Sequence, residues 1–282
     1  MDAVEGGFVE LESKLAELAN AQFASREYKR LFGMRWTRER ACIYMVQRAY
    51  FVLNRRDCWA YLQGSVPFDV KQVIWDHEKE ELMGDDARGV ENHWALGMRE
   101  GAVLGLTPED FEKTPPLPGT VACCYAWIHI AKDWPWLKAL PVCAATELSN
   151  SDELIKGGSF SRRVAMKLHE DLGIPLKQQP SNAEHIKADV EHAKLLMNVV
   201  RRHATTTEKR QEVLDGVECR RLDDVDHHWR RQHRDAARAD ERGGMLGADH
   251  DLGRAGEAGR DVGQDRADAS RRGHGTLWPN MA

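Results

Sequence analysis

Residues Ser181–His203, SNAEHIKADVEHAKLLMNVVRRH, have the period of a single helix and carry His185, Asp189 and His192 at i, i+4 and i+7. At about 100° per residue, with His185 at zero, Asp189 falls at roughly 40° and His192 at roughly −20°. Leu196, Val199, Val200, Ala193, Ile186, Met197 and Val190 lie on that same side. Lys187, Lys194, Arg201, Asn198, Glu191, Arg202 and Glu184 take the other. Three groups that should face water therefore point with the core. Burying a carboxylate and two imidazoles without partners is costly. A metal ion would satisfy all three; a polar network at the edge of the core is the alternative. Pro180 reads as the end of the preceding loop, Ser181 as the N-cap, and Glu184 as its capping-box partner.

Outward from this stretch the chain reads as helix throughout. Phe8–Phe23 is amphipathic, Arg26–Phe32 continues it, and Gly33 stops it. Thr37 caps a long helix to about Gln63. Pro67 opens a third helix ending near Gly84, and a fourth runs from about Val90 to Leu106. Thr107-Pro-Glu-Asp begins a short turn of helix. A fifth helix runs from Leu117 or Gly119 to Trp134, and Pro135–Ser149 carries on beyond it. Ser159–Leu172 is closed by Gly173 and Pro175, and Thr207 starts one more helix after the central one. No segment alternates with period two long enough to be a strand. The expected fold is all-α, a single bundle over residues 1–218.

Residues 219–282 differ in kind. From Arg220 the chain is mostly Arg, Asp, Gly, Ala and His, which cannot bury a core. This tail is expected to be disordered, or to be the product of a reading-frame shift near Cys219–Leu222.

The whole chain has 282 residues, 42% of them hydrophobic, and a formal net charge of −5, so no basic field suggests nucleic acid. It has neither a signal pattern nor an apolar run of about 18 residues. The six cysteines form no C-x-x-C pair and read as reduced, buried thiols of a cytoplasmic protein.

Three ligands on one helix leave an ion open. In the third helix Val70, Ile74, His77 and Glu81 share a face, whereas Glu80 falls toward the flank. Glu81 is the better inward carboxylate; the competing reading is a solvated run, HEKEE. In the fourth helix His93 lies with Trp94, Gly97, Met98, Gly101 and Gly105, small residues that let helices approach and bury it. His93 is then a ligand or a hydrogen-bonded core histidine, with Asp86 a reserve carboxylate in the loop before it. Glu147 stands alone in the otherwise neutral KALPVCAATELSNS, where it has a partner, a capping role or exposure. Glu81, His93, Glu147, His185, Asp189 and His192 together give a mixed nitrogen–oxygen donor set without thiolate, which suits iron or manganese.

These residues, in this order, resemble the haem-oxygenase-like di-iron oxidases, whose fold is shared with thiaminase II and pyrroloquinoline-quinone synthase. The likeness rests on Glu81-Leu82-Met83-Gly84, then His93 and HWALGMREGAVLGL, then Glu147, then His185/Asp189/His192, and covers roughly residues 10–215. It implies a seven-helix bundle, two Fe(II) ions (with Mn possible in one site), and dioxygen-dependent oxidation of a small carboxylic or amino acid in a biosynthetic pathway. It also implies a homodimer as a possible assembly, a small-molecule substrate, and no nucleic-acid or membrane partner. The tail stands where the family's last covering helix should be. Two rivals remain at this stage: a metal-free enzyme of the same fold, a cofactor-free oxidase or a thiaminase-like hydrolase using Cys123 or Cys143, and a non-catalytic helical binding protein.

Overall fold

The computed structural model describes residues 3–218; the expected tail and the proposed frame break near Cys219–Leu222 lie outside the described residues. Among the described residues the chain is all-α, with no strand beyond a single bridge between Asp85 and Val90. The helices are α1 (Ala3–Ala21), α2 (Arg26–Gly33), α3 (Arg38–Ser65), α4 (Phe68–Met83), α5 (His93–Val103) and α6 (Pro108–Lys113). They continue with α7 (Pro118–Asp133), α8 (Trp136–Cys143), α9 (Ala145–Asn150), α10 (Phe160–Leu172), α11 (Pro180–His203) and α12 (Thr207–Glu218). The bundle is thus cut into more pieces than the seven helices that the resemblance implies. None of these helices is long and apolar enough to cross a membrane.

Several boundaries follow from local chemistry. The Thr37 hydroxyl accepts from the Arg40 amide, Thr107 and Asp110 form a reciprocal capping box, and Ser159 caps α10. Gly173 closes α10 in the left-handed region. The expected continuous segment from Pro135 to Ser149 is instead broken at Ala144. Pro141 lies inside α8 and has no N–H to give the ladder, so the rod divides and α9, which carries Glu147, starts afresh. α5 begins at His93 rather than near Val90, because Val90 is paired with Asp85 and Asn92 supplies the cap.

The start of α11 corrects the sequence reading. Pro180 is the first helical residue, where its missing N–H costs nothing, and Ser181 does not cap. The Ser181 hydroxyl accepts from Arg48 instead, and Glu184 pairs with Arg88 at 2.7 Å. The cap comes from another helix: buried Glu100 of α5 accepts from the Asn182 amide at 3.0 Å and from Asn182 Nδ2 at 2.7 Å. A carboxylate at a helix N-terminus satisfies free N–H groups and the helix dipole together.

Two apolar clusters frame the interior. One joins Leu11, Trp59, Ile74, Leu140, Val199 and Val213; the other joins Trp36, Met45, Phe111, Val164 and Leu168. Along α3, Ala41–Val46 feed the second cluster and Cys58–Leu62 the first, with Arg48, Arg55 and Arg56 between them. The polar interior sits at that junction, on α3, α4, α5, α9 and α11. Of the cysteines expected to be buried, Cys58 and Cys143 are; Cys42 and Cys124 are half-buried, and Cys123 is exposed. None of these five is in a disulfide, and Cys219 lies outside the described residues.

The turn joining α4 to α5 holds two glycines of positive φ, Gly84 and Gly89, and only Gly84 also lacks room for a side chain. Gly84 has φ 78°, and a Cβ there would sit 2.3 Å from the Val90 carbonyl oxygen. Gly84→Ala should therefore cost about 1–3 kcal/mol, read by urea unfolding of the full chain. Parent-like stability would show that the turn tolerates a side chain.

Candidate metal centre

Because α4 ends just after Glu81 and the Asp85–Val90 pairing folds the chain straight back, Glu81 and His93 meet across the turn. Glu81 Oε1 lies 2.8 Å from His93 Nδ1. The His93 ring lies tilted against that of His185, centroids 4.5 Å apart; His185 enters from α11 and donates from Nδ1 to the Ser181 carbonyl. Donor atoms of Glu81, His93 and His185 all fall within 4.8 Å of one another. One turn earlier on α4, His77 faces His192, with ring centroids 4.5 Å apart. Glu81, His77 and His192 form a second buried triad of the same closeness. The two triads share Glu81.

Asp189, buried on α11, approaches His192 Nδ1 at 3.4 Å. Glu147 reaches in from α9, with Oε1 2.6 Å from Arg55 Nη2 and 3.3 Å from His77 Nε2. Glu80 bonds His192 Nε2 at 2.9 Å but keeps 42% of its side chain exposed, and Asp86 is exposed in the turn. All six residues singled out in the sequence, Glu81, His93, Glu147, His185, Asp189 and His192, are buried and lie in one connected cluster. His77 was absent from that set. Its signal was present, since it shares the helix face of Val70, Ile74 and Glu81.

Five buried donor atoms here have no aligned hydrogen bond: His77 Nε2, His93 Nδ1, Glu147 Oε2, Asp189 Oδ2 and His192 Nδ1. Buried polar atoms are nearly always satisfied, so five together mark a place that wants a ligand. Mixed imidazole and carboxylate donors fit iron or manganese. The residues present therefore fit a pair of such ions.

Protons and guanidinium groups balance the charge meanwhile. Burial opposes ionisation of Glu81, but Arg56 and His93 outweigh it and hold the carboxyl well below its usual range. Burial likewise opposes ionisation of Glu147, and Arg55 and His77 bring it down to about 2. His192 resists charging through burial, yet Asp189 raises it to about 9. His185 is pushed down to about 4, chiefly by burial.

A cavity of about 310 Å³ opens beside the triads, with Glu81, Glu147, His185 and Asp189 on its wall. Tyr44, Phe51, Trp127 and Phe160 make much of the remainder. Neither Cys123 nor Cys143 lines it. Burial also pushes the Cys143 thiol up to about 12, which disfavours a thiolate nucleophile.

Residues 42–223 match the model of a protein family described as iron-containing redox enzymes. Among solved structures, the chain is similar to a domain of unknown function with a haem-oxygenase-like fold from Shewanella denitrificans OS217. The two are 17% identical with a TM-score of 0.57, over 79% of this chain and 93% of that one. This likeness establishes the fold: the all-α bundle is haem-oxygenase-like. No curated protein matches the sequence.

The two perturbed histidines give metal-free protein a stability that varies with pH. His185 binds its proton less readily folded than unfolded, so its contribution is lost as pH falls from about 6.5 toward about 4. His192 binds its proton more tightly when folded, so its contribution is full below about 6.5 and lost as pH rises through about 9. Thermal melts of chelator-treated full chain should fall on both sides, and His185→Gln should flatten the decline between pH 6.5 and 4.5. An unchanged acid slope in that variant would contradict the assignment.

Proposed function

The chain belongs to the iron-containing redox enzymes, and from that premise we propose that it is a non-haem di-iron oxidase or oxygenase that uses dioxygen on a small carboxylic- or amino-acid metabolite. The observation that carries this reading is the pair of buried donor triads sharing Glu81, with five unaligned buried donor atoms around them. Glu81, His93 and His185 would hold one ion. Glu81, His77 and His192 would hold the other, with Mn(II) acceptable in one position. Asp189 beside His192 and Glu147 beside His77 supply further carboxylate oxygens.

Iron bound there supplies the electrons and Lewis acidity for dioxygen chemistry. The chain's own residues do the rest. Arg55 grips Oε1 of Glu147 and leaves Oε2 free as a donor. Glu80 orients His192 through Nε2, the kind of outer contact that fixes a ligand's tautomer and direction. The aromatic wall of the cavity receives the apolar part of a small substrate and keeps bulk water from the reacting end. His185 and Asp189, on that same wall, fix where the substrate meets the donors.

Asp189 should matter more to this chemistry than to the fold, because Asn keeps its volume and removes only its charge. Full-chain Asp189→Asn is expected to keep the helical CD spectrum, lose part of its iron and consume dioxygen at least about tenfold more slowly after anaerobic Fe(II) loading. An oxygen electrode reads the rate. Consumption at the parent's rate with a parent's iron content would overturn the di-iron reading.

A further inference from the structure

On α3, Arg48, Phe51, Val52, Arg55 and Arg56 recur at i, i+3, i+4, i+7 and i+8, one face of a helix, and all five line the cavity. The two adjacent arginines are held in different ways. Arg55 is 2% exposed. It donates to the Cys143 carbonyl and to Glu147. Its Cζ also lies 5.2–6.0 Å from the ring centroids of Phe51, Trp59 and Trp127. Backbone, carboxylate and three rings fix it in place.

Among the described residues Arg56 shows neither the backbone nor the ring contacts. Among the described residues its ion-pair partners are two carboxylates: Nη1 meets Glu81 Oε2 at 2.7 Å and Glu78 Oε1 at 3.1 Å. Its Nε and Nη1 are buried without an aligned hydrogen bond. Glu81 is also the carboxylate common to both donor triads. A guanidinium and a divalent cation thus compete for one group. Like charges that close, in a medium of low dielectric, repel strongly.

We propose that Arg56 is a displaceable counter-ion: it neutralises Glu81 in metal-free protein, and when metal takes Glu81 its guanidinium turns to the cavity and binds the anionic end of the substrate. This rests on the metal-centre reading above and adds a regulation to it. The site for the anion is complete only once the metals are in. By linkage, the anion strengthens metal binding by the same factor. Arg55, locked by its rings, stays with Glu147 and takes no part in the exchange. The aromatic wall selects an apolar body behind the charge.

The test uses full-length protein, redox-inert Zn(II), and phenylacetate as a singly charged probe with an aromatic body, followed by isothermal titration calorimetry. Parent protein loaded with Zn(II) should bind phenylacetate about tenfold more tightly than metal-free protein, and the uncharged phenylacetamide should show no such difference. Arg56→Met removes the competitor: it should bind Zn(II) about tenfold more tightly than the parent and bind phenylacetate equally with and without metal. Arg56→Lys, which keeps the charge, should not gain Zn(II) affinity. Coupling that survives in Arg56→Met means that the anion sits on the metal directly, and overturns the proposal. So does a Zn(II) affinity in Arg56→Met no better than the parent's, even if the probe binds neither form. A parent that takes up no Zn(II) defeats the metal-centre reading itself; a parent that binds it without any effect of Arg56 defeats only this inference.

Discussion

A carboxylate taken out of water must find partners, and Glu81 finds them from three directions: Arg56 on α3, His93 across the turn, and His77 one turn back on its own helix. Glu81 is where α3, α4, α5 and α11 converge, so the rest of the interior is arranged around keeping it ionised. Gly84 stops α4 one turn beyond it, and the Asp85–Val90 pairing returns the chain so that α5 starts at His93. Glu100, further along α5, caps α11 and so fixes the height at which His185 and His192 face Glu81. Each of these contacts has an ordinary structural cause. Together they leave donor atoms aimed at one another without the hydrogens aligned to join them.

That arrangement is costly for a fold that gains nothing else from it. Well-packed apolar residues of similar volume would stabilise this interior at least as well as ion pairs. Around the donor triads the molecule instead keeps Arg55 and Arg56, four histidines and the carboxylates Glu81, Glu147 and Asp189 buried or nearly so. A chain of the iron-containing redox enzyme family has a use for such an interior. Protons and guanidinium groups balance its carboxylates: against burial, Asp189 raises His192 to about 9, and Arg55 and His77 bring Glu147 down to about 2.

The sequence carried the helical fold and the inward face of α11, because both depend on periodicity alone. His185, Asp189 and His192 lie buried with Ala193, Leu196, Val199 and Val200, as the wheel requires. Glu81 over Glu80, and His93 among small residues, were legible for the same reason; at Gly101 a Cβ would meet Phe111 at 2.6 Å. What the sequence hid was long-range. Ser181 looked like a cap because Glu100, eighty-one residues earlier, cannot be read locally as the true one. Glu184 fell on the polar side of the wheel yet is buried, since Arg88 reaches over to pair with it. The arginines of α3 acquire a role only where α4 and α9 place carboxylates against them. His77 was read as a face marker for Glu81, and only the approach of α11 reveals that it opposes His192.

The most direct measurement is the number of iron ions that each variant holds after anaerobic Fe(II) titration. If Glu81 serves two ions, the parent takes two per chain, His185→Ala and His192→Ala each keep one, and Glu81→Gln keeps none at comparable affinity. A Glu81→Gln variant that still binds two ions, or a parent that saturates at one, would contradict the shared-carboxylate centre on which this account stands.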